Sequence, residues 1–169
     1  MRIPLLVSVL VLAAACADTR PVPYEKLTQE NEINGFRIAV VDVCLQSAMA
    51  GTPVSDLASE TGPIVAAGAD MWAPREAEGV LIRASGKTCE VTTKGPLTRA
   101  SLDAVDKALN DPHGFVVETP AEPKGSNVLK RYSKKVGAQT FHVTMAGSAP
   151  LADAAPGALI ATVTATPFA

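Results

Sequence analysis

The chain lacks the local patterns by which most hydrolases, nucleotide-binding proteins and metalloproteins announce themselves. It has two histidines, His113 and His142. Neither belongs to an HExxH, and no CxxC is present, so a metal site would have to be assembled from residues far apart. There is no GxSxG elbow, no SxxK and no papain-like Cys-Gly context, which removes the usual signatures of nucleophilic catalysis. Ser85-Gly86-Lys87 has neither the length nor the following helix of a phosphate loop. Charge of one sign is not in excess either: 15 Lys+Arg stand against 17 Asp+Glu, a balance that argues against a general nucleic-acid binder. No internal repeat is visible. These absences imply no metal and no cofactor, and they point away from an enzyme.

What is present begins with the leader. MRIPLLVSVLVLAAA carries one positive charge at Arg2, an apolar run and then small residues, the build of a secretory signal peptide and too short to span a bilayer comfortably. Two cleavage chemistries fit its end. Ordinary cleavage at an Ala-x-Ala site, after Ala15 or Ala17, leaves no lipid. Cleavage before Cys16 leaves a cysteine to be lipidated. Cysteine arithmetic favours the second, because an exported chain with three cysteines needs a use for the odd one. Lipid on Cys16 leaves Cys44 and Cys89 to form one disulfide.

Leu12-Ala13-Ala14-Ala15-Cys16, followed by a polar stretch and a compact cysteine-bearing region, resembles the small exported lipoproteins of Gram-negative bacteria. The resemblance covers residues 1–35, with Ala13 where a leucine is commoner. It implies a membrane anchor made of acyl chains on Cys16. Asp18 is third, not second, in the resulting mature chain, so the resemblance implies the periplasmic face of the outer membrane.

The expected organisation is therefore a signal peptide over residues 1–15, a lipidated cysteine and polar tether over 16–35, and one domain over 36–169. Phe36, Val40, Val43 and Cys44 recur at helical spacing, with Ile38, Val41, Leu45 and Met49 beside them, predicting a helix buried on most of its circumference. The β-branched Ile38, Val40, Val41 and Val43 also fit a buried strand. Thr52 and Pro53 suit the start of a helix over Val54–Glu60. Ile64–Trp72 is a short apolar segment of either type.

From Gly79 the period becomes two. Val80, Ile82 and Ala84 lead through Ser85-Gly86-Lys87 to Cys89, Val91 and Thr93, a hairpin with Cys89 and Val91 on one face. Thr98 as N-cap, Leu97 and Leu102 as staple, and the stripe Leu102, Val105, Leu109 predict a helix ended by Asn110–Gly114. Strands are expected at Phe115–Glu118, Val128–Ser133, Gln139–Met145 and Leu159–Thr166, the middle two joined by a five-residue loop from Lys134 to Ala138. The fold class that follows is α+β, a single domain with a mainly antiparallel sheet, two or three helices and one disulfide.

One feature has a functional reading of its own. Lys124, Lys130, Arg131, Lys134 and Lys135, with Tyr132 among them, fall in a span from Pro123 to Ala152 that contains no acid. On a protruding hairpin these residues form a cationic surface for an envelope protein or an anionic envelope component. The same lysines also suit a solvated edge that resists aggregation. The leading expectation is a non-enzymatic envelope lipoprotein that binds a partner. A second is a carrier of small apolar ligands, or a chaperone-like module, with a groove near Trp72 and Phe141. A third is an enzyme with a site built from dispersed residues.

Overall fold

A computed structural model describes residues 24–58, 62–93, 98–118, 127–147 and 159–167; Cys16, Lys124 and the staple residue Leu97 lie outside them. Helix α1 (Tyr24–Arg37) runs directly into a π-helical segment (Ile38–Leu45) and then one further α-helical turn, α2 (Gln46–Ala50). The segment is a helix and not a strand, and nearly its whole circumference is enclosed: Ala39, Val40, Val41, Val43, Cys44 and Leu45 are all buried. A π-helix closes i→i+5 bonds. Its spacing is matched by the ion pair of Arg37 with Asp42, five residues on, at 3.0 Å. Gln29–Ala50 is long and apolar enough to cross a bilayer by length and composition, but its apolar side chains form the centre of the domain core.

The helix also begins well inside the stretch expected to be a tether. Glu32 accepts a hydrogen bond from the Gly79 amide at 2.9 Å, and Gly35 has no exposed surface to spare. A Cβ on Gly35 would stand 2.2 Å from that of Ala77. Residues 29–35 read as polar linker because the contacts are made by Glu32 and Gly35, which carry no hydrophobic signal.

Gly51, in the left-handed conformation at φ +70°, stops α2, as expected for a helix C-terminus. The short helix α3 (Val54–Leu57) follows. Its cap position falls on Pro53, one residue later than expected, and the Thr52 carbonyl instead accepts the Ser47 hydroxyl at 2.6 Å.

Eight antiparallel strands form one sheet: β1 (Ile64–Gly68), β2 (Met71–Pro74), β3 (Val80–Ser85), β4 (Thr88–Thr93), β5 (Val116–Glu118), β6 (Val128–Val136), β7 (Gln139–Gly147) and β8 (Leu159–Pro167). Helix α4 (Thr98–Asn110) stands between β4 and β5. The uncertain segment at Ile64–Trp72 is a tight hairpin whose turn places Asp70 at φ 53°. The β6–β7 hairpin is longer than expected. Its strands remain paired down to Val136 opposite Gln139, leaving a two-residue turn with Gly137 at φ +59°. Gly86 at φ +58° plays the same part between β3 and β4, in the glycine-first turn that matches strand twist.

The sheet order β1-β2-β3-β4-β8-β7-β6-β5 contains a repetition that the residues do not show. Each half of the chain is a helix followed by a four-stranded meander. The halves join through their last strands, β4 and β8, paired antiparallel with Cys89 opposite Val163. The long helix and α4 lie together against one face of this sheet. There Val80, Ile82, Val91, Phe141, Val143, Met145, Leu159, Ala161 and Val163 meet Phe36, Val40, Val43, Val105 and Leu109 in one core. The disulfide Cys44–Cys89 spans the two layers, with Cα atoms 5.5 Å apart. The architecture is α+β, with a single antiparallel sheet.

Candidate functional site

The cationic run of β6 is divided by the pleat. Lys130, Tyr132 and Lys134 pair with Met145, Val143 and Phe141 and so point toward the helical layer, while Arg131 and Lys135 lie on the opposite face. Tyr132 has no exposed surface at all, which takes it out of any contact surface. Its hydroxyl donates to Asp106 Oδ1 at 3.1 Å, the Lys130 ammonium donates to Asp106 Oδ2 at 2.7 Å, and Asn110 Nδ2 donates to Oδ1 at 3.0 Å. Lys134 donates to the His113 carbonyl at 2.5 Å and lies over the Phe115 ring, 6.0 Å from its centre. These two lysines are held by α4 and the turn after it, with their stems along the edge of the core.

The electrostatics of this cluster are those of a clamp. Burial by itself would raise the Asp106 carboxyl, but the hydrogen bonds from Lys130 and Tyr132, with the Lys130 charge behind them, outweigh it and hold the group below its ordinary value. Burial, followed by the Asp106 charge and its hydrogen bond, pushes the Tyr132 hydroxyl well above its ordinary range. On the other face of the sheet His142 Nδ1 lies 3.8 Å from Glu118 Oε1, while His113 sits in the turn after α4 and uses its carbonyl for Lys134. Among the described residues no group of three or more His, Cys, Asp or Glu is arranged to hold a metal ion.

A concave feature of the domain lies elsewhere, beside the disulfide. α2 ends at Gly51, and the Ser47–Thr52 bond folds the chain back so that Pro53 and Val54 form one wall. The tip of the β3–β4 hairpin, from Ala84 to Cys89, forms the facing wall. Trp72 of β2 and Gln139, Val163 and Ala165 of β7 and β8 complete the lining, with Cys44 and Cys89 at its base. The space is about 480 Å³, within the range of about 300–1,000 Å³ usual for small-molecule sites. Its apolar surface comes from Ala48, Val54, Trp72, Ala84, Val163 and Ala165. Lys87 is the one charged residue in the lining.

Of the two aromatic residues expected beside a groove, Trp72 lines this cleft. Phe141 does not: it is 2% exposed and packs in the core. The remaining lining residues are scattered over the chain and belong to no motif. The signal that could have found them is the cysteine pair. Once Cys44 is joined to Cys89, the residues just after Cys44 and just before Cys89 must face one another, and those are the two walls.

Comparison with known proteins returns no match among protein-family models, curated proteins or solved structures.

Proposed function

We propose that this protein is an exported lipoprotein, anchored by acyl chains on Cys16 to the periplasmic face of the outer membrane, and that its domain is a non-catalytic binding module for a small apolar molecule. The observation that carries the binding part is the cleft over the Cys44–Cys89 bridge, with Trp72 and five aliphatic side chains around about 480 Å³ of space. Apolar walls with a few polar groups at the margin are the common build of a ligand site. The lining supplies no histidine and no carboxylate that could move a proton for a bound molecule. The export part is supported by the leader, by the Ala13-Ala14-Ala15-Cys16 run and by the pairing of the other two cysteines.

The test has two arms. Mass spectrometry of the protein purified from envelopes reads the amino terminus: acyl chains on Cys16 are expected, and an unmodified terminus removes the anchor. Trp72 is the only tryptophan in the chain, so its fluorescence reports on the cleft directly. A neutral apolar probe such as N-phenyl-1-naphthylamine should quench it saturably, and Ala165→Phe, which fills the cleft, should abolish the effect. Quenching that persists unchanged in Ala165→Phe, or none in either protein, overturns the binding assignment.

A partner-binding role for the β6 region is the second reading. It is favoured by the placement of Arg131 and Lys135 together on the sheet face away from the helices. Arg131→Ala with Lys135→Ala should then weaken association with isolated envelopes; unchanged association counts against it.

A further inference from the structure

We infer that the cleft over the disulfide takes a long-chain carboxylate, with its hydrocarbon body against Trp72, Ala48, Val54, Val163 and Ala165 and its head group at Lys87. The inference rests on the reading of the cleft as a ligand site and names the chemistry of the ligand. The lining mixes the apolar side chains with Ser47, Thr52, Ser55, Ser85, Thr88 and Gln139, and adds one charge at the hairpin tip, Lys87. A ligand matched to that mixture is amphiphilic, with one charged end. Lys87 is the only charge in the lining. Its ammonium has no hydrogen-bond or ion-pair partner among the described residues, unlike Lys130 and Lys134, which are held by Asp106 and the His113 carbonyl.

The count of charges favours a head group with one negative charge, of which a carboxylate is the simplest. A phosphate monoester carries closer to two at neutral pH, and would leave charge unmatched beside the apolar walls. An amine head group would face Lys87 with like charge. Because Lys87 sits in an exposed turn, its attraction is screened by water and salt, and the preference it confers is modest, about two- to fivefold in affinity.

The test uses the mature, disulfide-intact protein and Trp72 fluorescence, with dodecanoate, dodecanol and dodecyl phosphate as probes below their micellar concentrations. Dodecanoate should bind about two- to fivefold tighter than dodecanol at low salt, and the difference should shrink as salt is added. Lys87→Met should remove the difference between the two probes. Shortening the chain from dodecanoate to decanoate should weaken binding on the order of tenfold, since two fewer methylenes are buried. Equal affinity for the acid and the alcohol in the wild type overturns this inference and leaves the apolar-ligand reading intact. A preference that survives in Lys87→Met does the same, as does tighter binding of dodecyl phosphate. Absence of a saturable response to all three probes overturns both.

Discussion

The hydroxyl of Tyr132, a side chain with no exposed surface, donates to Asp106 Oδ1 at 3.1 Å across 26 positions of sequence. This bond fastens β6 to α4 and holds the second half of the domain to its own helix. Asp106→Ala would leave the hydroxyl buried without an acceptor and Lys130 without its counter-ion. The expected loss is about 1–3 kcal/mol of unfolding free energy, measured by urea denaturation, whereas Tyr132→Phe, which removes the donor with its need, should cost only about 0.5–1.5 kcal/mol.

The same pair makes stability depend on pH at both ends. Asp106 is held below the ordinary carboxyl value of 3.8, so its contribution is complete above that value and is lost as pH falls further, through the folded-state titration. The gap in stability between wild type and Asp106→Asn should therefore narrow as pH drops below about 4. Tyr132 is held above the ordinary phenol value of 10.0. Its contribution is complete below that pH and declines as pH rises past 10, because the unfolded chain then loses a proton that the folded one keeps. Tyr132→Phe should lack this alkaline component, and thermal melts across pH 9–11 distinguish the two proteins.

Reduction of the Cys44–Cys89 bridge releases a loop spanning 45 positions. In the chain-entropy description such a loop is worth about 4 kcal/mol. Paired replacement of both cysteines by alanine should lower the melting temperature by tens of degrees or abolish folding at 37 °C. Because the bridge forms the base of the cleft, the Trp72 emission should shift as well.

Gly35 tests whether the chain before Phe36 belongs to the domain. A methyl group there would meet the Ala77 Cβ at 2.2 Å, so Gly35→Ala should destabilise by about 1–3 kcal/mol through overpacking, against the helix preference of alanine. A polar tether would show the opposite sign or nothing.

Ser101 is fully buried on α4, and its hydroxyl has no hydrogen-bond partner among the described residues. Ser101→Ala removes an unsatisfied polar group and improves helix propensity. The expected result is a gain of about 1 kcal/mol in unfolding free energy, read as a higher urea midpoint at an unchanged slope.

The strands and helices were legible where one face is buried and the other is wet. Val80, Ile82, Cys89 and Val91 alternate because β3 and β4 have a single core face, and Leu102, Val105 and Leu109 give the stripe by which α4 packs. The pairing of Cys44 with Cys89 was legible too, from counting. Periodicity fails at the two ends of this scale. In 38–45 nearly every residue is buried, so no stripe distinguishes helix from strand, and before residue 36 the contacts are made by Glu32 and Gly35, which carry no hydrophobic signal. The run Lys130–Lys135 misleads for a related reason. Composition shows how many charges there are, while the pleat decides that Lys130 and Lys134 turn toward α4 and Arg131 and Lys135 away. The cleft was hidden because its lining comes from eight elements that share no sequence motif.

The position of β8 bears on how the domain comes into being. It is the last of the eight strands to be synthesised, yet it lies at the middle of the sheet and is the only link between β4 and β7. Until residues 159–167 arrive, the two meanders share no paired strand, and the contacts that unite them have large sequence separation, which makes them slow to form. A secretory precursor must stay unfolded until it has passed through a translocon. On the export route proposed above, completion of the fold would wait until residues 159–167 have crossed.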